Sequence, residues 1–350
     1  MNSLHRSIRL WLEEKEESLS PCAMKSKLSQ GRLRPEDPCP MRTEFQRDRD
    51  RIIHCNAFRR LKHKTQVFIA PLGDHYITRL THTLEVAQIA RSISRSLNLN
   101  EDLTEAISLG HDLGHTPFGH VGEEVLNQIS PFGFRHNEQS LRVVELLENG
   151  GRGLNLTWEV REGVLKHSKS RLEVLGEEWE ASDTLEGQVC KIADIAAYIN
   201  HDIDDALRAG LIGEDDLPSS AISALGQSRS ERINTIVRDV VDCSWAARGE
   251  ELTSTKTEPT IDMSPPVNDA MNTLREFLFE RVYYSSLVEG EANKAKVIVR
   301  RLYEYFSEHE DKLPGDEALS NGPLSRRVTD YIAGMTDQYA LQAAYEAGLT

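Results

Sequence analysis

The chain has 350 residues, 39% hydrophobic and 28% charged, which is enough apolar material for one large domain or two modest ones. Its net charge of −15 argues against broad nonspecific binding to nucleic acid or anionic membrane, while leaving room for a local basic cluster that binds a small anion. No stretch approaches the roughly 18 consecutive apolar residues of a membrane span, and the charged segment with Arg6, Arg9, Glu13, Glu14, Glu16 and Glu17 does not read as a signal peptide.

Five scattered cysteines, Cys22, Cys39, Cys55, Cys190 and Cys243, form no C-x-x-C pair, so neither a disulfide framework nor a zinc ribbon is expected. Together these features place the protein in the cytoplasm as an expectation. Leu4, Ile8, Leu10 and Leu12 among charges predict a short amphipathic helix over 4–18. Pro21, Gly31, Pro35, Pro38 and Pro40 then mark a loop over 20–41. From Phe45 to about 248 helical periodicity is nearly continuous, as in Leu103, Ala106, Ile107 and Leu109, or Val189, Ile192, Ala196 and Ile199. Gln66–Ala70 is the one strand signal, a hairpin arm with Pro71-Leu72-Gly73-Asp74 as its turn.

The expected fold is all-α. An N-terminal helix and loop (1–41) precede a helical core (42–248). A loop (249–268) then leads to helices that resume at about 269, pack on the core and break near Pro314-Gly315 and Gly322-Pro323.

Ten of the twelve histidines lie between His54 and His201, a concentration that raises the expectation of a metal or proton-transfer site. The densest run is His111-Asp112-Leu113-Gly114-His115-Thr116-Pro117-Phe118-Gly119-His120. Neighbouring side chains on a helix diverge by about 100°, so His111 and Asp112 share a metal only where the helix ends. Gly114 and Pro117 end it there. The bland reading is that Asp112 caps a helix and the histidines are satisfied polar residues, and for any lone histidine that reading is preferred. Three imidazoles and a carboxylate beside Leu113 and Phe118, however, are costly to bury without a shared partner. Imidazole with carboxylate favours Mn, Fe or Zn, and carboxylate tolerates Mg. One more His and one more Asp from other helices complete a four-ligand site with room for water and a phosphate oxygen.

Two further segments supply partners. Arg79 and His82, at i and i+3, share a helix face, as do Asp194, Tyr198 and Asp202 at i, i+4 and i+8. The block Arg42–Lys64 is rich in cations. Arg47, Arg49 and Arg51 fit a salt-bridged, solvated helix face as well as they fit a ligand site. For Arg59, Arg60, Lys62 and Lys64 a phosphate-binding role is preferred. There is no P-loop and no G-x-G-x-x-G.

The pattern H…HD…D resembles the HD phosphohydrolase superfamily. More narrowly, HDLGHTPFGH followed by Glu123 is similar to the deoxynucleoside-triphosphate triphosphohydrolases, the dGTPase-like group that includes the SAM-and-HD-domain dNTPase. The blocks RTEFQRDRDRIIHCNAFRRLKHKTQVF (Arg42–Phe68), TRLTHTLEVAQIAR (Thr78–Arg91), FRHNEQSLRVVE (Phe134–Glu145) and TLEGQ…NHDIDDAL (Thr184–Leu207) extend the resemblance over about residues 40–210.

It implies an HD-domain helical core and, position by position, a set of roles. His82, His111, Asp112 and Asp194 are the implied ligands of a divalent ion, Mn, Mg or Fe. His120 with Glu123 is the catalytic pair, and His115 lies near the α-phosphate. Arg79 contacts triphosphate, Tyr198 stacks near the sugar, and Asp202 with Gln66 meets the 3′-hydroxyl. Two departures stand out. Ile195 follows Asp194 where the family carries Arg or Lys, and Lys169–Asp183 lacks any pattern that reads a base.

The implied reaction is hydrolysis of a dNTP, dGTP among others, to deoxynucleoside and inorganic triphosphate. The implied partners are the dNTP substrate, an allosteric nucleotide and further copies in a homo-oligomer, with no membrane and with nucleic acid confined to a local groove. Two rivals remain: a phosphohydrolase of nucleoside monophosphates or other phosphate esters, and a non-catalytic nucleotide-sensing HD protein.

Overall fold

Helix starts in this chain are written into its polar side chains. In the computed structural model, which describes residues 8–66, 77–168, 182–249, 259–283, 285–315 and 322–349, α1 (Ile8–Glu16) is followed by turns and one short 3-10 helix at Ser26–Leu28. The core then opens at a capping box. The Thr43 hydroxyl accepts from the Gln46 amide while the Gln46 side chain accepts from the Thr43 amide, starting α2 (Glu44–His54). After the single turn of α3 (Asn56–Arg60), Thr78 repeats the device with Thr81 to start α4 (Arg79–Ser96). Asn100 caps α5 (Glu101–Gly110) by accepting from the Asp102 and Leu103 amides.

Then come α6 (His120–Ile129), α7 (His136–Arg142), a four-residue turn α8 (Glu148–Gly151) and α9 (Trp158–Lys166). The central helix is α10 (Leu185–Arg208), 24 residues long. It is followed by α11 (Ser219–Leu225), α12 (Arg229–Cys243), α13 (Pro265–Leu278), α14 (Ser286–Glu308), α15 (Leu324–Ala333) and α16 (Asp337–Glu346). The fold is all-α, with no strand among the described residues. The expected hairpin falls mostly on 67–76, outside the described residues, and its flanks Thr65 and Thr78 meet in an isolated antiparallel bridge.

The C-terminal helices begin earlier than the sequence pattern predicts. Pro265 and Pro266 occupy the first two positions of α13, where a missing N–H costs nothing. Prolines read as breakers are here helix starters, so the helix begins at 265 and not at about 269.

Two apolar clusters position the site. The larger is built around α10, where Val189, Ile192, Ala193, Ala196, Ile199 and Ile203 are completely buried against α4, α5 and α9. Each Val or Ile so buried contributes about 1.5–3 kcal/mol. The smaller joins Phe118, Val125, Leu126 and Phe134 to Val299, Leu302, Val328, Ile332 and Ala340 of α14–α16. α6 therefore rests on the C-terminal helices, and its first turn faces the core. Asp337, at the start of α16, ties these parts together by accepting from the amides of Thr65 and Phe118, each at 2.9 Å. No helix among the described residues is long and apolar enough to cross a membrane.

Candidate active site

His82 sits one turn into α4 and is buried, as is Arg79 three residues before it. α5 stops at Gly110, and His111 and Asp112 follow in a turn, so that adjacent side chains converge. Gly114 makes that turn fit. Its amide donates to the Ser140 hydroxyl at 2.9 Å, and a Cβ on it would lie 2.1 Å from the Ser140 nitrogen. The Ser140 hydroxyl in turn donates to the His111 carbonyl at 2.7 Å. Asp194 projects from the middle of α10.

These four residues meet. Potential ligand atoms of His82, His111 and Asp112 all lie within 4.8 Å of one another. His82 Nε2 is 3.1 Å from Asp194 Oδ1, and His111 Nε2 is 3.9 Å from the same oxygen and 3.7 Å from Asp112 Oδ2. His111 donates from Nδ1 to the Ser108 carbonyl at 2.6 Å, which leaves Nε2 as a lone pair. That Nε2 is buried and has no hydrogen-bond partner. A buried imidazole nitrogen aimed at two carboxylates fits a divalent metal. Burial by itself raises the Asp112 carboxyl, but the Arg79 guanidinium and the surrounding histidines outweigh it and hold the group well below the usual carboxylate range. Asp194 is likewise held low, with burial opposed by its contact with His82.

A second group surrounds Glu123. Its Oε2 lies 3.1 Å from His120 Nδ1 and 3.8 Å from His115 Nε2, and its Oε1 accepts from the His136 amide and lies 2.9 Å from His136 Nδ1. His120 is exposed, whereas His115 is completely buried and neither of its ring nitrogens has a hydrogen-bond partner. Burial, with Arg79 nearby, drives the His115 imidazole well below its usual range. For His136, burial is overcome by the Glu123 charge, and its affinity for a proton rises. The corresponding depression of Glu123 comes against burial, from His136 and His120.

The expected substrate residues divide. Arg79 Nη1 donates to Asp112 Oδ2 at 2.5 Å, while its Nε and Nη2 are buried without partners. Gln66 is buried and its Oε1 has no partner. Asp202 is buried in a chain of contacts. It accepts from the Tyr283 hydroxyl and lies 2.7 Å from His201 Nδ1, and His201 Nε2 is 2.9 Å from His82 Nδ1. Tyr198 is half-buried on the same helix, its phenol pushed up by burial.

The four cations of the basic block do not gather at one point. Arg59 and Lys62 are exposed. Arg60 donates to the Gly334 carbonyl at 3.1 Å. Lys64 is buried, donates to the carbonyls of His115 and Ala333, and is pushed down to about 7 by burial and by Arg60. Arg60 and Lys64 line a cavity of about 520 Å³ with Gly114, Asp330 and Tyr331. Arg47, Arg49 and Arg51 are in salt bridges with Glu36, Glu44, Asp50, Asp102 and Glu105. Four residues escaped the reading of the sequence: His136, His167, His201 and Tyr283. The clustering of histidines and the position of His201 seven residues after Asp194 were the available signals for the first three; nothing local marks Tyr283.

A helical core that brings H…HD…D together from two helices and the turn that ends a third defines an HD-domain phosphohydrolase. The HD domain model matches residues 79–199, and that of the phosphohydrolase-associated domain matches residues 261–346. The chain belongs to the deoxyguanosinetriphosphate triphosphohydrolase-like family and is a hydrolase. It is 56% identical over 325 residues to the family protein of Caldanaerobacter subterraneus subsp. tengcongensis, covering 92% of this chain and 90% of that one. It is 50% identical over 345 residues to the protein of Desulfatibacillum aliphaticivorans, covering 96% of both chains. With the protein of Clostridium perfringens the identity is 48% over 323 residues, covering 92% and 91%.

Proposed function

We propose that this hydrolase cleaves 2′-deoxynucleoside 5′-triphosphates, dGTP among them, between the α-phosphorus and the 5′-oxygen, releasing the deoxynucleoside and intact triphosphate. The observation that carries the proposal is the buried, unpartnered Nε2 of His111 facing Asp112 and Asp194, with the His120–Glu123 pair one helix start away. His82, His111, Asp112 and Asp194 would hold a divalent ion, Mn, Mg or Fe. Such an ion polarises a phosphoryl oxygen and lowers the pKa of a bound water.

The remaining work falls to this chain's own side chains. Glu123 engages His120 at Nδ1, which leaves Nε2 to give a proton to the departing 5′-oxygen. His115, buried and resistant to protonation, is a neutral imidazole beside the α-phosphate. The free Nε and Nη2 of Arg79 suit phosphate oxygens, and Arg59 and Lys62 are the solvent-side cations for the distal phosphates. Asp202, Tyr198 and Gln66 surround the sugar, where a missing or extra hydroxyl is felt strongly because the polar groups are buried.

Hydrolysis of dGTP in H₂¹⁸O tests the bond that breaks. Label is expected in triphosphate and none in deoxyguanosine. Stepwise release of orthophosphate points instead to a phosphatase acting from the distal end or on monophosphates.

A further inference from the structure

The turn that leads into His120 is held in a conformation its own sequence does not favour. Phe118 has a φ of +61°, a left-handed backbone that a bulky side chain rarely adopts and that persists only where the surroundings fix it. Gly119 follows at +59°, so close to the segment of Gln66 that a Cβ on it would lie 2.9 Å from the Gln66 carbonyl oxygen. The constraints on this turn come from the far end of the chain. Asp337, the first residue of α16, accepts from the Phe118 amide through Oδ1 and from the Thr65 amide through Oδ2, both at 2.9 Å. Two amides on the two oxygens of one rigid carboxylate fix the distance between their segments. The Phe118 side chain is buried in the apolar cluster that includes Val328, Ile332 and Ala340 of α15 and α16. Lys64 adds a second tie, donating to the His115 carbonyl and, at 2.8 Å, to the carbonyl of Ala333 at the end of α15.

We propose that Asp337 is a positioning residue for the hydrolysis: it clamps the seam between Thr65–Gln66 and Phe118–Gly119 and thereby aims the His120 imidazole. The C-terminal helices then belong to the catalytic apparatus and do not merely cover the core. The proposal rests on the reading of His120 as the general acid. His120 is exposed, so packing does little to aim it, and its direction is set by Glu123 and by the backbone from which α6 starts. A left-handed Phe118 released from Asp337 has a more favourable conformation to relax into, and that relaxation turns the start of α6. The opposing account is that Asp337 only joins the C-terminal helices to the core, so that its loss weakens the fold without touching the proton transfer.

A double-mutant cycle on the full-length protein separates the two accounts, read as the single-turnover rate on dGTP with bound Mn measured alongside. Asp337→Ala is expected to lower that rate about 10- to 100-fold, the scale of a reacting group displaced by about 1 Å, with Mn stoichiometry unchanged. In the His120→Ala background the same substitution should cost less than about twofold, because residues that act through one another are not additive. Asp337→Asn, which keeps one acceptor for the two amides, carries the same cycle should Asp337→Ala fail to fold. An equal fold-loss in both backgrounds overturns the proposal, leaving Asp337 a structural tie while His120 stands; so does an Asp337→Ala enzyme as fast as the wild type. If His120→Ala alone is without effect, the general-acid reading falls and the positioning role falls with it.

Discussion

Arg79 holds Asp112 through a 2.5 Å bond from Nη1 to Oδ2, with both side chains buried. Asp112 is also a proposed metal ligand, so guanidinium and metal compete for one carboxylate. The remaining donors of Arg79, Nε and Nη2, have no partners.

Arg79→Met is therefore expected to move two observables in opposite directions. Mn affinity, measured calorimetrically, should tighten because the competing cation is gone. The kcat/KM for dGTP should fall about 10- to 100-fold, the loss of one charge-assisted hydrogen bond of about 1.5–3 kcal/mol. Loss of metal affinity together with activity would show that Arg79 organises the site and does not contact substrate.

The partners of Asp202 bear on the proposed sugar pocket. Its carboxylate accepts from the Tyr283 hydroxyl and lies beside His201, whose other nitrogen meets His82. Asp202→Ala leaves two buried polar groups without a partner, at a cost of about 1–3 kcal/mol each. Asp202→Asn keeps the acceptor for Tyr283 and is expected to fold normally. In that variant the KM for dGTP should rise more than the inhibition constant of inorganic triphosphate. An equal rise in both would mean that Asp202 acts on the site through His201 and His82 instead of through the sugar.

The difference between what the chain spelled out and what it hid has a physical basis. The helix end at HDLGHTPFGH was readable because two breakers follow the His-Asp pair, and adjacent side chains converge only where a helix stops. The long α10 was readable because a buried helix of 24 residues repeats its apolar face many times. Tyr283 was hidden because its contact with Asp202 spans 81 positions and rests on packing of the C-terminal part against the core. Lys64 misled for a related reason. Its sequence neighbours are exposed cations, yet tertiary packing buries its ammonium against the carbonyls of His115 and Ala333. A charge run reports composition, not which member of the run turns inward.

Glu186 should make stability depend on pH. It is completely buried two turns before Asp194, accepts from the amides of Met24 at 3.1 Å and Asn100 at 2.9 Å, and has no partner for Oε2. Burial pushes its carboxyl up to about 7. The folded state then binds a proton that the unfolded state releases near pH 4.5. The stabilisation is complete below the unfolded value and is lost as pH rises through about 7. Its size is at most about 3 kcal/mol, at 1.36 kcal/mol per pKa unit. Urea midpoints between pH 5 and 8 should fall with rising pH in the wild type. Glu186→Gln, which keeps an acceptor for both amides, should flatten that slope; an unchanged slope would assign the effect to other groups.

His120 carries the most specific chemical expectation. Its side chain is exposed and its Nδ1 is engaged by Glu123, so removing it disturbs little of the fold. Surface substitutions of this kind are usually within about 0.5 kcal/mol. It is not among the proposed metal ligands His82, His111, Asp112 and Asp194, so metal content should not change. The departing 5′-oxygen of a deoxynucleoside is a poor leaving group unless protonated, and a positioned general acid contributes about 10²–10⁴ in rate. His120→Ala should therefore lower the single-turnover rate on dGTP by that factor, with Mn stoichiometry and nucleotide binding retained. A substrate whose leaving oxygen needs no proton, such as a 4-nitrophenyl phosphoryl ester, should be hydrolysed by the variant nearly as well as by the wild type. Equal losses on both substrates would remove the proton from His120 and leave Glu123 and His136 as the pair to examine, since His136 is the imidazole whose hold on a proton is strengthened by Glu123.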